Sequence, residues 1–282
     1  MPLIRDRLVV VRGAGDLATG CIVRLAHAGF RVVALELDRP SAIRRTVSLS
    51  EAMYDGTACV EGVRAFRCGS VPEAWADGEV PLLEDPECRC VARLAPFALV
   101  DAIVAKRNLG TRLDLAPLVV ALGPGFEAGR DAHAVVETNR GHDLGRVILR
   151  GSAEGNTGVP GLIAGQGRKR VIYAPVAGTV ETLRAIGDTV EAGEPVLSIR
   201  GVAATAPLGG VIRGLIRPGF EAREGLKVAD VDPRCVREHC FSVSDKARAI
   251  AGGVLEAILT LSPRSSSGAA CFDDPAHFRR TA

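Results

Sequence analysis

The chain has 282 residues, of which 47% are hydrophobic and 24% charged, with a formal net charge of +2. Those values exclude a disordered or fibrous chain and fit a globular protein of about two domains. A near-neutral balance and 4% aromatic residues supply neither the basic field nor the stacking platforms of a nucleic-acid binder.

The N-terminal residues run directly into a strand, without the apolar stretch and small-residue cleavage site of a secretory signal. No segment reaches about 18 uninterrupted apolar residues. A cytoplasmic protein without membrane contact is expected, and its eight cysteines are then reduced thiols rather than a disulfide framework.

Residues 8–11 form a continuous apolar run, followed at once by Gly13, Ala14, Gly15 and Asp16 and by a helical pattern through Cys21, Val23, Leu25 and Ala28. Gly29 ends that helix, and residues 31–37 predict a second strand carrying Glu36 near its end. Strand, glycine turn, helix and an acid roughly 20 residues on are the parts of a dinucleotide-binding start, in which Glu36 accepts from ribose hydroxyls. Gly13, Gly15, Asp16 and Glu36 are therefore candidate cofactor-binding residues. Asp16 would repel a pyrophosphate unless a metal or Arg12 intervened, and the competing expectation is that Asp16 caps the helix. Arg39, Arg44 and Arg45 suit either an anion or a solvated helix face.

Short strands are expected within residues 57–68, a helical turn at 71–76 and a strand at 81–85. The spacing of Leu99, Val100, Ile103 and Val104 predicts a helix over 96–106, closed by basic residues and Gly110. A buried strand at 118–122 then delivers Gly123, Pro124 and Gly125 at its carboxyl end, where open α/β sheets bind ligands. Nine of the 32 glycines fall within residues 123–161, interleaved with His133, Glu137, Arg140, His142 and Asp143. Such density points to a loop-built surface, with Gly123, Gly125 and Arg140 as ligand contacts. His142 is the candidate for proton transfer. His133 and Glu137 supply too few ligands for zinc, and the spacings of Cys88, Cys90, Cys235 and Cys240 are not the usual CxxC, so no metal site is assigned. Cys240, beside His239, is the candidate reactive thiol.

After residue 170 the texture changes to short β segments. The segment 174–180, APVAGTV, is echoed by 206–212, APLGGVI, which suggests two β halves of about 30 residues. This pattern resembles the flattened barrel-sandwich of biotinyl and lipoyl carrier domains. The hairpin between the halves, 198–205, has no lysine to carry a cofactor, which disfavours swinging-arm chemistry. A helix is expected over 246–261, capped by Ser244 or Asp245, followed by a frayed end.

Several blocks together resemble the YqeB-type, or EF2563-like, accessory proteins of selenium-dependent molybdenum hydroxylase systems. They are GAGDLATG (13–20), DAIVAKRN (101–108), LGPGFEAGRD (122–131), VVETNRGHDLGRVI (135–148), NTGVPG (156–161), KVADVDPR (227–234) and SDKARAIAGGVLEA (244–257). The N-terminal part is also similar to XdhC-type Rossmann domains, which bind molybdenum cofactor. The resemblance implies a cytoplasmic factor whose partners are a molybdenum hydroxylase and its maturation factors. Its ligand would be an anionic molecule, either molybdenum cofactor or a nucleotide. The alternatives are an NAD(P)-dependent oxidoreductase and a non-enzymatic interaction module; homo-oligomerisation is open.

The expected fold class is thus an α/β Rossmann-like N-terminal domain (1–125), a glycine-rich connecting segment (126–170) and an all-β barrel-sandwich module (171–235). A C-terminal helix (236–262) and a flexible tail (263–282) complete the expected organisation.

Overall fold

A computed structural model gives the architecture of residues 7–156, 158 and 165–262; the tail expected at 263–282 and most of the 156–161 block lie outside the described residues. The apolar run at the start becomes β1 (Leu8–Arg12), followed by α1 (Asp16–His27) and β2 (Arg31–Glu36). Ala18, Cys21, Ile22 and Leu25 are buried along α1, at the spacing that places side chains on one helical face. The chain continues through α2 (Ala52–Asp55), the hairpin β3 (Thr57–Val60) and β4 (Val63–Arg67), then β5 (Glu79–Glu84), α3 (Val91–Leu94), β6 (Ala98–Asp101) and β7 (Leu118–Leu122). Short strands β8 (Glu127–Ala128), β9 (Ala134–Val136), β10 (Val147–Ile148) and β11 (Gly151–Ser152) follow.

Nine of these strands form one mixed sheet, ordered β10-β9-β7-β6-β1-β2-β5-β4-β3, with antiparallel pairs at both edges. The inner strands are parallel and nearly wholly buried, as strands covered on both faces must be. One face is covered by α1 and by α4 (Asp245–Leu261), the other by α3, through Val91, and by the loop carrying Phe126.

The second part consists of β12 (Val171–Tyr173), β13 (Gly178–Thr182), β14 (Thr189–Val190), β15 (Pro195–Ile199), β16 (Val202–Thr205), β17 (Gly210–Leu215), β18 (Glu221–Ala222) and β19 (Lys227–Asp232). They form two separate four-stranded antiparallel sheets, β12-β19-β17-β14 and β16-β15-β13-β18. Around its own apolar cluster, this part joins the first through Leu215 N–H donating to the Ile43 carbonyl at 2.7 Å and Arg45 Nε donating to the Leu215 carbonyl at 2.7 Å.

This architecture corrects the expectation of a Rossmann-like domain followed by a barrel-sandwich. A doubly wound domain carries helices on both faces of its sheet, but here α1 is the only long helix among the described connections between sheet strands. The helix expected at 96–106 is instead β6 and a loop. Ala98, Leu99 and Val100 are fully buried between β1 and β7, so tertiary burial on both faces overrides a spacing that also fits a helix. The turn expected at 71–76 is not helical either. In the β region each four-stranded sheet takes a strand from the other sequence half, β14 in one and β18 in the other, in place of a single closed barrel.

α4 begins one residue before the expected start, and Ser244 caps it by accepting from Ala247 N–H at 3.1 Å. It packs tightly on α1: a Cβ on Gly20 would stand 2.8 Å from that of Ala247, and one on Gly253 would collide with the Gly145 carbonyl. Gly253→Val should therefore lower unfolding free energy by about 1–3 kcal/mol through overpacking. Gly252→Ala, at a position open to added volume, should be neutral or gain up to about 1 kcal/mol of helix propensity; denaturant unfolding measures both.

Candidate functional site

Each parallel strand delivers a polar segment at its carboxyl end. Arg12, at the end of β1, is consumed internally: Nη1 donates to Asp101 Oδ2 at 3.2 Å and to Thr111 Oγ1 at 3.0 Å, and Nη2 donates to the Pro86 and Leu109 carbonyls. It therefore does not neutralise Asp16. That role falls to Arg44, whose Nη1 lies 3.2 Å from both Asp16 oxygens while Nη2 donates to the His239 and Ser242 carbonyls. Nor does Asp16 cap α1, because Gly15 is the N-cap residue and no side chain caps the helix.

Glu36 turns back into the glycine turn. Its carboxylate accepts from Ala14 N–H at 2.8 Å and from Leu37 N–H at 2.9 Å. Burial raises its pKa, opposed by those two amides. Gly13, Gly15 and Glu36 thus lie together, but the carboxylate is engaged in holding the turn rather than presented to a sugar.

The loop after β7 is shaped by close packing. At φ +106°, Gly125 sits so near Arg107 that a Cβ would fall 2.5 Å from its backbone nitrogen, and Gly123 has Ala153 where its Cβ would be. These glycines let the loop meet the 106–107 backbone. Behind it, buried Glu137 accepts from Asn139 N–H at 2.6 Å and Glu154 N–H at 2.7 Å and so fixes the following turn. Arg140 reaches from that turn to α4, where Nη1 and Nη2 donate to the Asp245 carboxylate at 2.6 and 2.9 Å. Those bonds hold the Asp245 carboxyl well below the usual range. His142, in the same turn, is exposed and makes no hydrogen bond among the described residues. His133 and Glu137 flank opposite ends of β9 and do not converge; His133 Nδ1 accepts from Val119 N–H at 3.0 Å. No group of three metal-binding side chains occurs among the described residues.

Cys240 is buried, with Sγ 3.6 Å from the Ile212 carbonyl. Burial pushes its thiol up despite the opposing Arg213 and Arg44 charges, which favours the protonated form over an attacking thiolate. Burial raises Cys88 to about 11 and Cys90 to about 12.

What the sequence reading missed is the junction between the two parts of the molecule. Asp16 lies within electrostatic reach of Arg213, Lys227 and Lys246, and Asp245 within reach of Arg140, Arg213 and Arg234. Burial lowers Lys227 and Lys246 below the usual lysine range; neighbouring Arg140 lowers Lys246 further. Cations gathered beside a helix N-terminus, partly shielded from water, form an environment suited to an anion. The signal was available in the blocks 227–234 and 244–257, whose lysines and arginines had no role in an amphipathic pattern. A concavity of about 440 Å³ between Asn108–Asp114 and Arg130–Asp131 is lined by none of these residues, and its arginines are exposed and already paired.

No protein-family model matches the chain. It is 50% identical over 258 residues to the Escherichia coli (strain K12) protein named Uncharacterized protein YqeB, a match covering 90% of this chain and 48% of that protein. The chain therefore spans about half the length of the curated relative it matches, and the match supports the YqeB-type label suggested by the sequence blocks. Among solved structures, TcdA (CsdL) is 12% identical with a TM-score of 0.32, covering 92% of this chain and 88% of its own. A succinylglutamate desuccinylase/aspartoacylase from Rhodobacter sphaeroides is 14% identical with a TM-score of 0.27, covering 80% and 84%. Similarity at that level transfers neither fold nor function. No helix among the described residues is long and apolar enough to cross a membrane.

Two outcomes follow from the geometry. Brief alkylation of the native protein at neutral pH should modify exposed Cys59 and Cys235 before Cys240, as read by peptide mass spectrometry; preferential modification of Cys240 would restore it as a reactive thiol. Because the folded Asp245 pKa is depressed, the Arg140 pair contributes above the unfolded carboxyl value of about 3.9 and is lost as pH falls through the folded value. Asp245 is largely exposed, so Asp245→Asn should cost only about 0–1 kcal/mol near neutrality, with the difference from the parent protein vanishing in strong acid.

Proposed function

We propose that the chain is a cytoplasmic accessory factor in the maturation of a selenium-dependent molybdenum hydroxylase. In this role it holds molybdenum cofactor, or a nucleotide-like intermediate, for modification or insertion. The observation that carries the proposal is the convergence of sequence blocks at one cationic junction, in which Arg44 is buried and Arg140 and Lys227 are partly exposed. Asp16 and the start of α1, Arg44, Arg140, Lys227 and Lys246 come from regions far apart in the chain and meet beside the carboxyl edge of the large sheet.

The chemistry of such a ligand supports the same reading. A pterin bearing phosphate is anionic, and guanidinium groups with exposed helix amides recognise phosphate through charge-assisted hydrogen bonds. Neutralisation of Asp16 by Arg44 removes the repulsion a bare carboxylate would impose. The position of Glu36 weighs against the oxidoreductase alternative, because both of its oxygens already accept backbone amides.

The test is retention of molybdenum cofactor, released anaerobically from a molybdoenzyme, on the purified chain during gel filtration, with molybdenum measured in the protein peak. Near-stoichiometric retention is expected, falling roughly tenfold or more in Lys246→Met as one charge-assisted contact is lost. Absence of retention, together with saturable binding of NADH or NADPH, would overturn the proposal in favour of the oxidoreductase.

A further inference from the structure

Arg213 is the least satisfied charged group at the junction. It lies on β17, where the register against β19 changes from Ile212 opposite Val231 to Gly214 opposite Asp230, leaving Arg213 as the extra residue of a bulge. A bulge bends its strand and re-aims a side chain that regular pairing would have placed elsewhere. Here the redirected side chain is 8% exposed, and its one ion pair, from Nη1 to Asp232 Oδ2, spans 3.8 Å. Nε is buried without a partner, and no hydrogen bond leaves the guanidinium among the described residues. Nε is thus withdrawn from water with nothing to receive it, and Nη1 has only a long ion pair, an expensive way to bury a guanidinium.

The neighbouring acids take their hydrogen bonds from other cations, although Asp230 Oδ1 is also buried without a partner. Asp232 accepts from Arg234 Nε at 2.9 Å and Nη2 at 2.6 Å, and Asp230 accepts from Arg170 Nη1 at 2.7 Å with Lys227 3.5 Å away. Gly214 is what admits Asp230 at this point, since a Cβ there would lie 2.7 Å from Asp230 Oδ1. A second orphaned donor, Arg44 Nε, is also buried without a partner, while the rest of that guanidinium holds Asp16 at the uncapped start of the 12-residue α1. Arginine donors left unmade, a neutralised carboxylate and the free amides of a long helix are complementary to a group with several anionic oxygens.

We infer that Arg213 anchors a buried oxyanion subsite that receives a phosphate group, with Arg44 Nε and the N-terminus of α1 completing its donors. The inference rests on the proposed function only in taking that phosphate to belong to the held cofactor; free phosphate and a phosphate monoester share the same chemistry. An anion that accepts from these donors binds only the folded chain, so its binding should stabilise the fold.

Titration calorimetry and thermal unfolding of the intact chain with inorganic phosphate and with AMP test the subsite and distinguish the two phosphate sources. Phosphate should raise the melting temperature of the parent protein. Arg213→Lys should bind it roughly 10- to 100-fold more weakly, and Arg213→Met should lose the response. The exposed variant Arg64→Gln should bind as the parent does. Arg213→Met should also melt higher than the empty parent, since a buried charge without hydrogen bonds has been removed. Absence of phosphate and AMP binding to the parent, or parent-like binding by Arg213→Lys, overturns the subsite; if Arg213→Met fails to fold, the lysine variant decides. A parent that retains molybdenum cofactor but ignores phosphate and AMP refutes the subsite alone, whereas one that binds phosphate but no molybdenum cofactor refutes the proposed function alone.

Discussion

The bond between Arg44 and Asp16 is the constraint on which the junction depends. One guanidinium, 6% exposed, neutralises the carboxylate at the start of α1 and simultaneously accepts the task of satisfying two carbonyls, those of His239 and Ser242, just before α4. It thereby ties the first crossover of the large sheet to the segment that leads back from the second part. Arg44 is buried while Asp16 is about a quarter exposed, so removing Asp16 leaves the buried guanidinium without its counter-charge. Thr46 reinforces the same tie by donating its hydroxyl to the Cys240 carbonyl at 2.5 Å. The site is consequently assembled by contacts between parts of the chain, and neither part holds it alone.

How much of this was legible depended on whether the signal was local. β1, α1, β2 and β7 could be read because continuous apolar runs and glycine punctuation are short-range facts, and Ser244 could be read as a cap because its acceptor lies three residues away. β6 failed because burial on both sides of a sheet erases the alternation that distinguishes a strand from a helix. The glycines of residues 123–161 were correctly seen as dense, but density alone does not separate open loops from close packing: Gly125 is pressed against Arg107, and Gly145 against α4. Arg213 gave no local signal, since its environment is created by a register shift between two strands and by an arginine from residue 44. Lys227 and Lys246 are lowered only once folding partly buries them at the junction, which no local pattern announces.

Stability and ligand recognition pull against each other at this junction. The two apolar clusters on the faces of the large sheet, together with that of the β region, supply the burial that can tolerate desolvated cations nearby. Arg12 and Glu137 show what a purely supporting polar group looks like, with their charged atoms bonded to backbone and side-chain partners on several sides. Arg213 and the Nε of Arg44 stand apart from them, buried without that satisfaction. Unsatisfied buried donors of this kind are rare in folded proteins.

The close crossing of α1 and α4 also governs the order in which the protein can be completed. Gly20 and Ala247 touch in space although nearly the whole described chain separates them, and the same helix covers the sheet through Ile250, Val254 and Ile258. During synthesis, the apolar surface of β1, α1 and β7 must therefore wait uncovered until α4 emerges, a long-range closure that is slow and leaves hydrophobic surface open to self-association.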